Sequence, residues 1–217
     1  MAAYDLEEQE QLAAMKAWWE KYGNMITSAA LIVALSISGY QGWRWYSASQ
    51  AGKAGALFAA ASQAAMEKDI AKTRVLTDEL LAKHGGSVPA ELAALQVAQL
   101  VVADGKPEDA RAYLERVASK GSDPLLRDMA RLRLAVLMFD AGELDEAFKQ
   151  LQASPVAALT VRFEDLRGDI LVAKAQPAEA RSAYQRALDA IAALPAASQP
   201  QGMRMVVQTK LDALGGA

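Results

Sequence analysis

The chain has 217 residues, 53% of them hydrophobic but only 6% aromatic, with a formal net charge of −3. That balance offers no basic face to the phosphates of a nucleic acid. There is no cysteine and a single histidine, His84, which excludes disulfides, thiol catalysis and a zinc site of the usual nitrogen and sulfur ligands, so no cofactor is expected. Ala and Leu dominate the apolar residues, which favours helix throughout.

From Tyr4 to Tyr22, Leu6, Leu12, Met15, Trp19 and Tyr22 recur every three or four residues and predict a short helix, with Gly23-Asn24 as its stop. Its acidic start, Asp5, Glu7, Glu8 and Glu10, argues against binding anionic lipid. The segment is either a solvated juxtamembrane helix or a docking site.

No charge falls between Asn24 and Trp43. At ~1.5 Å per residue this run covers roughly the ~30 Å of a bilayer's hydrocarbon core. Trp18, Trp19 and Tyr22 precede it, and Trp43, Trp45 and Tyr46 follow. Such amphipathic rings favour the headgroup level at both faces. Lys21 and Arg44 close the run and can snorkel outward. The reading is a cytoplasmic tail over 1–23, a membrane helix over 24–46 in the lipid bilayer, and a soluble part over 47–217. A cleaved signal peptide is the competing reading, through Ser47-Ala48-Ser49. The acidic start and the Trp-Arg-Trp-Tyr exit both speak against it. Lys16 and Lys21 before the helix balance Arg44 and Lys53 after it, so the charge rule leaves the orientation open. A short inner tail with a translocated domain is the common arrangement of an uncleaved signal anchor.

Beyond Ser47 the chain reads as amphipathic helices with short breaks and no convincing strand. Gly105-Lys-Pro-Glu-Asp-Ala110, Gly142-Glu-Leu-Asp-Glu-Ala147 and Ala175-Gln-Pro-Ala-Glu-Ala180 resemble one another. Ala98, Ala135 and Gly168 each lie twelve residues before the closing alanine of a unit. Two antiparallel helices need a small residue on each where they cross. A larger residue four further on, Leu114, Leu151 or Tyr184, fills the gap beyond. One pair cannot bury both its faces, so pairs stack; the spacing matches tetratricopeptide repeats of ~34 residues. A weaker copy places Ala59 and Ala71 as the first crossing pair. The fold class is therefore all-α: a single N-terminal transmembrane helix, then an α-solenoid of divergent repeats over about 53–86, 90–121, 124–155 and 161–194. A capping helix over 199–214 closes it, with Met203, Val206, Val207, Leu211 and Leu214 on one side.

Reaction chemistry has no footing. His84-Gly85-Gly86 is an ordinary helix end, and no strand precedes it as a phosphate loop would require. Glu164, Asp165, Arg167 and Asp169 read as a surface ion-pair net. What rises above scaffold is the concave face, built by the first helix of each pair. It should carry Leu92, Leu95, Gln99 and Val102, then Met129, Leu132, Val136 and Phe139, then Arg162, Asp165, Asp169 and Val172. Such a groove is apolar over its first two-thirds and suits an unfolded segment or an amphipathic partner helix. The alternative is that these residues pack against neighbouring helices.

In order along the chain, several short stretches resemble one family. They are the tail with Tyr4, Glu7 and Gln11, the Trp18-Trp19 pair, the Gly42-Trp43-Arg44 exit and Leu92-Ala93-Ala94-Leu95. Asp165-Leu166-Arg167-Gly168-Asp169 and Ala180-Arg181-Ser182-Ala183-Tyr184 complete the set. The resemblance is to the ancillary SecYEG translocon subunit family, the YfgM-like proteins of Gram-negative bacteria. It implies a bacterial inner-membrane protein with its N-terminus in the cytoplasm and its repeats in the periplasm. It also implies association with the SecYEG translocon and with a membrane-anchored periplasmic prolyl-isomerase-like chaperone, and a role in handing nascent envelope proteins onward. No catalytic residues come with it. A structural scaffold for cell-envelope or division assemblies is the alternative function.

Overall fold

The computed structural model describes residues 2–215, with side chains from Glu8 onward; the expectations at Tyr4, Asp5, Leu6 and Glu7 lie outside the described side chains. The chain divides into two units between Gly52 and Lys53. Among the described residues every regular element is helical.

The first unit is built from helix α1, Ala2–Met66, whose last turns belong to the second. No break occurs at Gly23-Asn24, contrary to the expected stop. Gly and Asn in a helix interior cost only about 1 kcal/mol or less, too little to outweigh the hydrogen bonds that an apolar run keeps within itself. The Trp19 ring lies across Gly23, where a Cβ would approach it to 3.0 Å, and Thr27 Oγ1 donates back to the Gly23 carbonyl at 2.8 Å. One described helix, α1, is long and apolar enough to cross a membrane.

In the second unit the end of α1 leads through a tight turn into α2, Ile70–His84, which packs on the next helix. Then α3, Val88–Ala103, pairs with α4, Pro107–Lys120, and α5, Pro124–Asp140, with the short α6, Leu144–Gln150. Finally α7, Thr160–Ala173, pairs with α8, Pro177–Ala192, and α9, Gln201–Ala213, packs on α8. The four hairpins close alike. Lys68, Gly105, Gly142 and Ala175 adopt φ of 59°, 76°, 79° and 58°. In each, the next amide reaches the carbonyl five residues back, as from Lys106 to Val101 at 2.9 Å and from Gln176 to Leu171 at 2.9 Å. This double-bonded C-terminal turn satisfies carbonyls the helix end would leave free.

The expected small crossing residues Ala98, Ala110, Ala135, Ala147, Gly168 and Ala180 are all buried, and so are the fillers Leu114, Leu151 and Tyr184. Gly168 is essential to its crossing: a Cβ there would come within 2.3 Å of the Tyr184 ring. The first pair departs from expectation. Ala59 and Ala71 are exposed, and the buried positions twelve apart are Ala61 and Thr73. A threonine in the alanine's place, and a lysine rather than a glycine in the left-handed turn at 68, hid the true register. In the cap, Val207 is fully buried, with Met203, Leu211 and Leu214 half-buried against its cluster. Val206 turns to solvent instead.

Candidate partner-binding groove

Helices α3 and α5 pack mainly against α4 between them and touch each other little. The gap so left is a groove of about 830 Å³. Its floor is formed by the buried Ala98, Leu114 and Leu137, and its walls by Gln99, Val102, Leu132 and Val136. Val102 is 47% exposed and Val136 41%, so the apolar wall is open. Glu108 and Asp140 stand by the hairpin end, Arg133 and Arg162 on the other side.

Five of the expected residues, Gln99, Val102, Leu132, Val136 and Arg162, are thus brought together. Leu92 is at the surface but does not line the groove. Leu95 is a correction: its side chain belongs to the hydrophobic core cluster rather than the open face, while Arg133 of α5 donates Nη1 to the Leu95 carbonyl at 3.0 Å. Burial pulls the Arg133 pKa below its ordinary value. Met129 and Phe139 are half-buried against the core.

Asp165 and Asp169 are engaged by the cap. Lys210 Nζ of α9 lies 2.7 Å from a carboxylate oxygen of each, and the Tyr184 hydroxyl donates to Asp169 at 2.7 Å. Burial pushes the Asp165 carboxyl up, and the pairing offsets only part of that. Burial alone would lower Lys210, but the two carboxylates outweigh it and hold the ammonium above its usual range. Burial and the Asp169 contact likewise raise the Tyr184 phenol.

The surface net expected around Glu164 is therefore mostly interior. The Glu164 side chain is 9% exposed and pairs with both Arg167 and Arg186. Two further buried carboxylates escaped the sequence reading. Glu91 accepts from the Ser122 amide at 2.5 Å and its hydroxyl at 2.7 Å. Asp128 accepts from the Val156 amide at 2.8 Å. Each ties the fourth or fifth residue of a first helix to the link that opens the next pair. A polar residue recurring at 91, 128 and 164 was the available signal, at the repeat period.

A profile described as a tetratricopeptide repeat-like domain matches residues 16–216. The chain belongs to that family. Among individual proteins it is similar to the ancillary SecYEG translocon subunit of Neisseria gonorrhoeae, 29% identical over 99% of this chain and 100% of that one. The proteins of the same name from Aggregatibacter actinomycetemcomitans and Haemophilus influenzae are 28% and 25% identical, covering 88% and 85% of this chain and 94% and 90% of theirs. The resemblance drawn from the short stretches is thus supported along the whole chain. A solved structure described as the functional characterization of Pseudomonas aeruginosa pilF superposes with a TM-score of 0.51 over 78% of this chain and 79% of that one; at 13% identity the likeness is one of fold.

Among the described residues no group of three or more His, Asp or Glu stands together as metal ligands would. In the other unit, Trp18, Trp19, Trp43, Trp45 and Tyr46 are exposed, as is Arg44. Tyr22 is half-buried, its ring 5.8 Å from that of Trp18 and 5.2 Å from Lys21 Nζ.

Proposed function

We propose that this protein is a non-catalytic adaptor of the Sec translocon, anchored in the inner membrane by α1. In this reading the N-terminus is cytoplasmic and the repeats are periplasmic. The groove binds partner proteins, among them a membrane-anchored prolyl-isomerase-like chaperone, and helps transfer translocated envelope proteins to periplasmic chaperones. The observation that carries it is the open apolar wall of Val102, Leu132 and Val136 over a floor that is already packed. A wall of this kind gains from covering by an apolar segment, at about 25 cal/mol per Å² buried. Nearly full-length similarity to proteins named ancillary SecYEG translocon subunits supports the choice of partner.

Photo-crosslinkers placed in cells at Val102 and Val136, and at Trp45 near the end of the apolar run, test the reading. Channel subunits crosslinked from Trp45 and envelope clients or chaperone crosslinked from the groove are expected. Recovery of cell-wall synthases with no channel subunit would overturn it in favour of an envelope scaffold. Val136→Lys should weaken client crosslinking and leave stability within about 0.5 kcal/mol, since the side chain is open to solvent. Phe139→Lys, half-buried against the core, should instead cost stability.

A further inference from the structure

The charged residues around the groove are sorted by sign. Glu108 opens α4 and Asp140 closes α5, so both stand at the end where the hairpins turn. Arg133 lies two turns back along α5. Arg162 stands six residues before the crossing Gly168, the level that Met129 holds before Ala135. Between the two ends lie Val102, Leu132 and Val136. Among the described residues none of these four charges has an oppositely charged side chain within ion-pair distance, although ion pairs link neighbouring repeats elsewhere, as Arg74 to Asp109 at 2.7 Å and Arg111 to Glu143 at 2.9 Å. Arg133 is held by the Leu95 carbonyl. Glu108 and Asp140 at one end and Arg162 at the other leave three charges around one apolar strip without an ion-pair partner, a pattern for something not of this chain.

The eleven steps along the helix from the level of Met129 to Asp140 rise about 16 Å. That is the length of about three helical turns. A helix carries a partial positive charge at its N-terminus and a negative one at its C-terminus. Its dipole matches the groove only when its N-terminus faces Glu108 and Asp140.

We propose that the groove takes an amphipathic helical segment of a partner polypeptide, about three turns long and antiparallel to α3, α5 and α7, with basic side chains toward its N-terminal end and acidic ones toward its C-terminal end. This deepens the adaptor reading and rests on it. Such a segment opposes its own dipole when free, so it is poorly helical alone and folds as it docks. A three- to four-residue apolar spacing along one face supplies the side chains for the Val102–Val136 wall.

The test uses the full-length protein in lipid nanodiscs and fluorescent fourteen-residue peptides of one composition. One has Lys at its N-terminal turn, Leu along one face and Glu at its C-terminal turn. A second has the charges exchanged, and a third keeps the first order but carries a central proline. Anisotropy titration should show the first binding about tenfold tighter than either other, the range expected for two well-placed charge pairs. Arg162→Glu, at an exposed position, should shrink that preference. Glu108→Lys with Asp140→Lys and Arg162→Glu should invert it. Circular dichroism of each variant confirms the fold.

Equal affinity of the first two peptides, with each displacing the other and both lost in Val136→Lys, would overturn the polarity while leaving the adaptor reading intact. Equal binding of the proline peptide would overturn the helical form of the occupant. Binding of all three that Val136→Lys does not weaken would overturn the groove itself as the partner site, and with it the reading on which this inference rests.

Discussion

The two units are both helical and both rich in Ala, yet they treat apolar side chains in opposite ways. Along α1 the large ones stand out from the helix: Leu31 is 62% exposed, Ile32 65% and Leu35 64%. In the repeats Leu80, Phe163 and Ile191 are fully buried, and small residues, alanine for the most part, occupy the places where helices cross. The polar groups follow the reverse order. The apolar run of α1 has no charge at all, whereas the repeat unit buries Glu91, Asp128 and Glu164. A helix that offers its apolar surface all round needs lipid as its solvent. A helix whose neighbours supply the apolar surroundings can bury a carboxylate, provided it is fully hydrogen-bonded.

That contrast predicts where a charge is harmful and where it is required. The largest effect should follow from placing charges in α1. Leu31→Arg with Leu35→Arg costs roughly 5–7 kcal/mol of insertion, taking ~2.5–3.5 per residue near the centre of a membrane helix. Carbonate extraction should find the doubly substituted protein released from membranes, while the melting of the repeat unit stays unchanged. Release accompanied by loss of repeat structure would break the comparison.

Removing a charge from the repeats should do the next largest damage. Glu164→Ala strands Arg167, which is mostly buried, and Arg186, and should cost about 3 kcal/mol in denaturant unfolding. An unchanged midpoint would show that the carboxylate contributes no more than a surface pair.

Lys210 sharpens the comparison at its weak end, since its side chain remains 30% exposed. Lys210→Met should cost about 1 kcal/mol or less in the docking of α9, after allowance for solvent screening. The sign with pH follows from the raised folded value. The contribution is complete below the unfolded lysine value of about 10.4 and is lost as pH rises through the folded one. The stability difference between wild type and Lys210→Met should therefore close only in strong alkali. A difference already gone at pH 9 would mean the two aspartates do not hold the ammonium.

Much of this was legible from the residues. The uncharged run with its aromatic flanks marked the membrane-length helix because composition alone decides whether twenty residues suit lipid. The 37- and 33-residue steps from Ala110 to Ala147 to Ala180 marked the repeats, because a helix crossing admits only a small residue and every pair must cross. The groove was legible in part: Val102, Leu132 and Val136 were placed on the right face by helical spacing.

The tertiary structure decided the rest. It put the buried positions of the first repeat at Ala61 and Thr73 rather than Ala59 and Ala71, because burial depends on the neighbouring helix and threonine fits where alanine was sought. It buried the Leu95 side chain in the core, tied the Leu95 carbonyl to Arg133, 38 positions away, and gave Asp165 and Asp169 to Lys210, more than forty positions on. Periodicity names the face a side chain shares. Only the packed neighbours determine whether that face is open, because the covering atoms come from other repeats.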